Sequence, residues 1–184
     1  MNYRKIHITG ASGSGTTTLA NRMSKEFGLA HYDTDDIFWE KTDPPYQIIK
    51  EEAVRKNLLK NIIVNNDKWV ISGSLCGWGD FAIPEFNLVI FLWVPTDIRI
   101  SRLKQRETNN FGKESLSPGG AMYENHIDFI DWASCYDNGD LDMRSKAMHE
   151  LWLKNLPCKV LRYEGDNSTE YIIKDLKELK GGDL

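Results

Sequence analysis

A chain of 184 residues, 41% hydrophobic and 27% charged, has the balance of one globular domain with a core of its own. Its 23 lysines and arginines against 27 aspartates and glutamates leave a net charge of −4, which argues against the basic face that nucleic acid requires. The longest apolar run, Leu88 to Val94, is far too short to span a bilayer and reads as a buried strand.

The chain opens on a strand, Arg4 to Thr9, which leaves no room for a signal peptide. The three cysteines, Cys76, Cys135 and Cys158, show no metal spacing and suit reduced thiols in the cytoplasm. After the strand comes Gly10-Ala-Ser-Gly-Ser-Gly15-Thr-Thr-Thr18, then a helix from Leu19 to Phe27. Strand, glycine-rich turn and helix in that order nearly satisfy the phosphate-loop pattern G-x-x-x-x-G-K-[ST]. In such a loop, inward-turned amides and the positive end of a helix hold phosphates. Gly10, Ser12, Gly13, Ser14, Gly15, Thr16, Thr17 and Thr18 are therefore candidate nucleotide-binding residues. The Thr17 hydroxyl falls where a Mg²⁺ ligand belongs. Thr16 stands where the motif has lysine, so the cation that normally reaches the β/γ-phosphates must come from elsewhere, or catalysis is slow.

Leu29 to Asp33 reads as strand two, ending in Tyr32-Asp33-Thr34-Asp35-Asp36. Carboxylates beside a phosphate cradle can hold a hydrated Mg²⁺ or orient an acceptor hydroxyl, and they can equally cap a helix. Asp33 and Asp35 are the candidates. Pro44-Pro45 precedes a helix expected from about Gln47 to Val64. Trp69 to Ile71 is strand three, closing at Ser72-Gly73, and Leu88 to Val94 is strand four. Pro95 starts a helix carrying Arg99, Arg102 and Arg106. Arg102 and Arg106 lie one turn apart on one face. Arg144, beyond the long stretch Glu107 to Asp142, is a third candidate cation; the alternative for all three is a solvated surface role. A short helix around Tyr123 to Trp132, a helix from Met143 to Asn155 and strand five, Lys159 to Tyr163, follow. The loop Glu164 to Ser168 opens the last helix, Thr169 to Leu179, and Lys180 to Leu184 reads as a frayed tail. His7 reads as a core residue, and His126 and His149 lack a partnering acid at metal spacing.

Strands alternating with helices imply a parallel sheet covered on both faces, with ligands at the carboxyl ends of the strands. The phosphate loop, Asp33-Thr-Asp35 and the glycine ending strand three together resemble the adenylate-kinase-like P-loop kinases. The small-molecule branch with the shikimate and gluconate kinases is the nearest. The resemblance implies an α/β three-layer P-loop NTPase fold in one domain, with a five-stranded parallel sheet of order 2-3-1-4-5 and helices on both faces. It also implies a mobile substrate segment at about 34–66 and a lid at about 107–142. ATP and Mg²⁺ are the implied cofactors, with Thr17 and Asp33 at the metal and the adenine against Gly165 and Asp166. Asp35 orients the acceptor, and Arg102, Arg106 and Arg144 stabilise the transferring group.

Two departures point to an acceptor other than shikimate. The glycine triplet of that branch is replaced by Gly73-Ser-Leu-Cys-Gly77-Trp-Gly79-Asp80, and Lys50 and Arg55 are out of register for its substrate arginine. Trp39, Trp78, Phe129 and Trp132 suggest different chemistry, although lid aromatics also serve local packing. The expected partner is a small-molecule phosphoryl acceptor, with neither nucleic acid nor membrane involved and a homodimer left open. The competing reading of the Thr16 substitution is a nucleotide-binding sensor without efficient catalysis. A GTPase or motor reading fails because the chain has no N-K-x-D motif and strands three and four end without an aspartate.

Overall fold

The computed structural model describes residues 3–179. Its elements are β1 (Lys5–Gly10), α1 (Thr16–Phe27), β2 (Ala30–Asp33), α2 (Thr34–Phe38), α3 (Glu52–Asn65) and β3 (Trp69–Ser72). Then come β4 (Leu88–Trp93), α4 (Thr96–Phe111), α5 (Tyr123–Ser134), α6 (Lys146–Lys154), β5 (Lys159–Glu164) and α7 (Thr169–Glu178), with 3-10 turns at Asp80–Glu85 and Cys135–Asp137. The strands form one five-stranded sheet of order β2-β3-β1-β4-β5, the order expected, and every pair is parallel.

Both faces of the sheet are buried, which is why β4 is an unbroken apolar run, while β1 buries His7 and Thr9 among its isoleucines. Alternate residues serve opposite faces. Val70, Leu88, Ile90 and Leu92 pack with Leu19 and Met23 of α1 and Ile172, Ile173 and Leu176 of α7. Trp69, Ile71, Val89 and Phe91 pack with Leu59 and Ile63 of α3 and Trp152 and Leu153 of α6. A smaller cluster of Leu103, Ile130 and Ala133 seats α5 on α4. Helix α1 ends at Gly28, whose φ of 65° lets its N–H bond the Ser24 carbonyl at 3.0 Å.

The elements differ from expectation in several places. The helix after the proline pair begins at Glu52, not Gln47, because Trp39 and Ile49 form an antiparallel bridge. The Glu40 N–H donates to Ile48 O at 2.8 Å and the Lys50 N–H to Phe38 O at 2.9 Å, so the intervening backbone is extended. Helix α2 is additional to the expected elements, and the helix expected from Met143 starts at Lys146, capped by Ser145 Oγ accepting from Met148 N. The expected tail, Lys180 to Leu184, lies outside the described residues.

His7 stacks on Phe86 at 5.3 Å within the second core, and His149 is equally buried, hydrogen-bonded to Tyr136 Oη at 2.8 Å. Burial depresses both imidazoles from 6.5, His7 to about 4 and His149 to about 3. At neutral pH both are uncharged in either state. Below pH 6.5 the unfolded chain binds protons that the native protein does not. Stability should then fall by about 1.4 kcal/mol per pH unit for each histidine. Urea midpoints measured between pH 7 and pH 5 should show this fall, and His149→Gln should remove about one proton's worth of the slope. An unchanged slope would contradict the assignment.

Candidate functional site

The loop between β1 and α1 is shaped by contacts that exclude side chains. A Cβ on Gly10 would lie 2.4 Å from the Leu92 carbonyl oxygen, and one on Gly13 would lie 2.8 Å from that of Arg99. Gly13 and Gly15 take φ of 82° and 92°, and a Cβ on Gly15 would meet nothing within 4 Å. The loop is thus tight against α4 and β4 on one side and open on the other. Ser14 is buried, yet its Oγ has no hydrogen-bond partner. That hydroxyl lies on the closed side of the loop, 2.6 Å from where a Cβ on Gly10 would stand, so it packs the turn rather than facing the open side.

Asp33 organises what lies beside it. Its Oδ2 accepts from Thr17 Oγ1 at 2.7 Å and from Ser72 Oγ at 2.9 Å, and its Oδ1 accepts from the Asp35 N–H at 3.0 Å. The two roles considered for it coincide, since the last bond caps α2 while the first reaches the phosphate loop. Register places Asp33 directly opposite Ser72. The Ser72 Oγ that donates to Asp33 also lies 2.9 Å from His31 Nε2, and His31 Nδ1 lies 3.0 Å from Asn21 Oδ1. Burial lowers the His31 pKa despite Asp33 and Asp36, which favours the neutral ring. Among the described residues no three His, Cys, Asp or Glu side chains form a metal cluster. One hydroxyl and one carboxylate fit Mg²⁺, which ordinarily completes its shell with phosphate oxygens and water.

The cations come from the other wall. Arg144 Nη2 donates to Ser12 Oγ at 2.8 Å, and its guanidinium lies 5.4 Å from the Trp132 ring. Arg102 contacts the Gly13 carbonyl at 3.4 Å and pairs with Asp166, so it stands beside the Gly165 loop. Arg106 lies over Phe129 at 5.8 Å. Asp35 opens into the same cleft, and desolvation there together with Asp33 raises its pKa while Arg144 and Arg106 pull the other way. Gly165, Thr16, Thr17 and Thr18 line the cleft with Ser12 to Gly15, whereas Gly10 lies beneath the loop and Asp166 is turned to Arg102, neither of them in the lining.

Arg99 is the residue that the sequence reading passed over. It is fully buried and donates to the carbonyls of Val94 at 3.0 Å, Ala133 at 3.2 Å and Ser12 at 3.4 Å, to Thr96 Oγ1 at 2.7 Å and to Asp137 at 3.4 Å. It ties the phosphate loop to α5. Its place in the first turn of a helix after Pro95 was visible; its burial was not. Ser72, His31 and Tyr46 were missed as well. Lys50 and Arg55 stay out of the site, the first bonded to the Asp36 and Trp39 carbonyls and the second 4.5 Å over Phe38. Trp78 donates to the Ser74 carbonyl at 3.0 Å and packs edge-on to Phe38.

All of this surrounds a cleft of about 1710 Å³. A pocket for one small ligand is about 300–1,000 Å³, so the cleft has room for two. A protein-family model described as an AAA domain matches residues 6–124. The chain belongs to this family of P-loop kinase domains. Bacillus subtilis YqaC, called an uncharacterized protein, is 45% identical over 90% of each chain. A cytidylate kinase of Haloarcula marismortui is 26% identical, with 68% of this chain and 72% of that protein covered. Among solved structures, a shikimate kinase from Acinetobacter baumannii in complex with shikimate shares the fold at a TM-score of 0.52, with 14% identity and 97% of each chain covered. The sheet order is the one the resemblance implies, and Thr16 stands at the lysine position of the loop pattern. Among the described residues no helix is long and apolar enough to cross a membrane.

Replacing Arg99 by leucine strips partners from three carbonyls and leaves Asp137 without its cation. A loss of roughly 3 kcal/mol is expected from removing one partner of a buried ion pair. Denaturant titration of Arg99→Leu against the parent checks it, and a change below about 1 kcal/mol would place Arg99 outside the structural framework.

Proposed function

We propose that the protein transfers a phosphoryl group from ATP·Mg²⁺ to a nucleotide or small hydroxylated metabolite in the cytoplasm. The observation that carries this reading is the hydrogen bond of Thr17 to Asp33 at the mouth of the phosphate loop, with Asp35 facing Arg106 and Arg144 across one cleft. A pure nucleotide binder has no need of that second half. The cytidylate kinase relative supports the same class of reaction.

The loop from Gly10 to Thr18 would hold the phosphates. Thr17 directly, and Asp33 through water, would hold Mg²⁺, which supplies charge neutralisation on the phosphate oxygens. Gly165 and Asp166 would border the base, with Arg102 beside them. Asp35 would accept the hydrogen of an acceptor hydroxyl. Arg144, anchored on Ser12, and Arg106 would supply the cationic contacts that lysine gives elsewhere. Arginine remains charged and can bind phosphate bidentately. The segment 107–142 would act as the lid of a single domain, with 34–66 as the substrate segment. Such catalysis is mostly positioning and charge stabilisation.

The test is phosphoryl transfer from ATP·Mg²⁺ across an acceptor panel. Arg106→Ala should lower kcat on the order of 10³-fold, the low end of what an arginine finger supplies, while ATP affinity by calorimetry changes little. Thr16→Lys should leave transfer intact or raise it. Tight ATP binding without transfer to any acceptor would instead favour the sensor reading that Thr16 also allows.

A further inference from the structure

The acceptor half of the cleft has an unusual charge. Its wall comes from β2, α2, the extended segment and α3, and it presents Asp33, Asp35 and Asp36 but no lysine or arginine among the described residues. Lys41 is exposed and does not line the cleft, and the other cations of that segment are engaged elsewhere. Lys50 is bonded to two backbone carbonyls, Arg55 lies over Phe38, Lys56 pairs with Glu52, and Lys60 lies 5.7 Å over Phe81. On the donor side, Arg102 is held by Asp166 and the Gly13 carbonyl, and Arg144 makes one bond to Ser12 Oγ while its Nε is buried without a partner. Arg106 is the lining cation with no hydrogen bond among the described residues, and the loop without lysine needs it at the transferring phosphoryl group.

An acceptor bearing a phosphate or carboxylate would therefore enter beside three aspartates and would compete with the transferring phosphoryl group for Arg106 and Arg144, the cations facing Asp35 across the cleft. What the wall does offer is amide groups and flat rings. Asn61 and Asn65 sit one turn apart on α3, both exposed and without a hydrogen bond among the described residues. Trp39 and Tyr46 line the same half with ring centroids 6.1 Å apart, and Tyr46 is held at a left-handed φ of 64°. Carboxamides pair with the amide and amine edges of a base, and aromatic rings stack on its face.

We infer that the acceptor is an uncharged, hydroxylated molecule with a flat hydrogen-bonding ring, a nucleoside in chemical class, rather than a nucleoside monophosphate or a sugar acid. The inference rests on the phosphotransferase reading above. In the transfer, the acceptor hydroxyl oxygen forms the new bond to the γ-phosphorus as the bond from that phosphorus to the β,γ-bridging oxygen breaks. ADP leaves, and the hydroxyl proton passes to Asp35 and then to water.

The experiment measures kcat/KM with ATP·Mg²⁺ for adenosine, cytidine, guanosine and uridine, for their 5′-monophosphates, and for shikimate, with ATP binding followed separately by calorimetry. At least one nucleoside should exceed its monophosphate by about 10²-fold, since placing like charges together is costly. Asn61→Ala should raise the nucleoside KM about tenfold, the worth of one hydrogen bond, without moving the ATP Kd. Asn61→Arg should narrow the nucleoside-to-monophosphate ratio by at least tenfold. Turnover confined to monophosphates or shikimate overturns this inference and leaves the kinase reading standing. A ratio that Asn61→Arg does not move overturns the assigned wall. ATP binding with no transfer to any acceptor overturns both readings.

Discussion

The carboxylate of Asp33 is the constraint on which the rest of the site depends. It takes three hydrogen bonds from three separate elements: Thr17 on α1, Ser72 at the end of β3 and the Asp35 amide on α2. Parallel register makes this possible, because Ser72 stands opposite both Asp33 and Ile8, and Ile8 is followed within two residues by the phosphate loop. The next residue after Ser72 must then pass close to α2. A Cβ on Gly73 would fall 1.7 Å from Thr34 Oγ1, so only glycine, here at φ 109°, lets β3 end there. The carboxylate, the serine and the glycine thus fix one another, and together they fix where α2 begins.

The second dependence runs through guanidinium groups. Three arginines touch the phosphate loop: Arg99 at the Ser12 carbonyl, Arg102 at the Gly13 carbonyl and Arg144 at the Ser12 hydroxyl. A trans peptide is planar, with its C=O and N–H pointing opposite ways. Arg99, by holding the Ser12 carbonyl against the α4 side, therefore turns the Gly13 N–H toward the open side of the loop. A buried cation that never meets the ligand can in this way preset the donors that do. It also links the loop to α5 through Ala133, so the geometry of one half is felt in the other.

How much of this was legible follows from sequence separation. The phosphate loop and the Asp33–Asp35 pair lie in short contiguous stretches where residue type and order suffice, and the sheet order came through the family resemblance those stretches carry. Ser72 reaches Asp33 across 39 residues and His31 reaches Ser72 across 41, and no local pattern announces either bond. Arg99 shares a helix with Arg102 and looks equally suited to solvent; only tertiary packing makes one fully buried and the other exposed. The helix start at Glu52 was misread for a related reason. Ile48 and Ile49 fit a helical spacing, yet both are exposed, because the bridge from Trp39 to Ile49 sets the backbone first.

The cleft is also electrically polarised. Aspartates at 33, 35 and 36 form one wall, and Arg102, Arg106 and Arg144 stand on the other. Filled with water, such a gap screens the attraction between its walls. Expelling the water lowers the local dielectric, and the same charges at the same separation then attract several times more strongly. Burial already raises the Asp35 pKa, while Arg144 and Arg106 oppose that rise from across the gap. Anything that displaces water from the cleft must therefore either draw the two walls together or place its own charge between them. Phosphates inserted on the arginine side do the latter. The aspartate wall itself carries no cation among the described residues, so hydrogen bonds and ring contacts weigh more there.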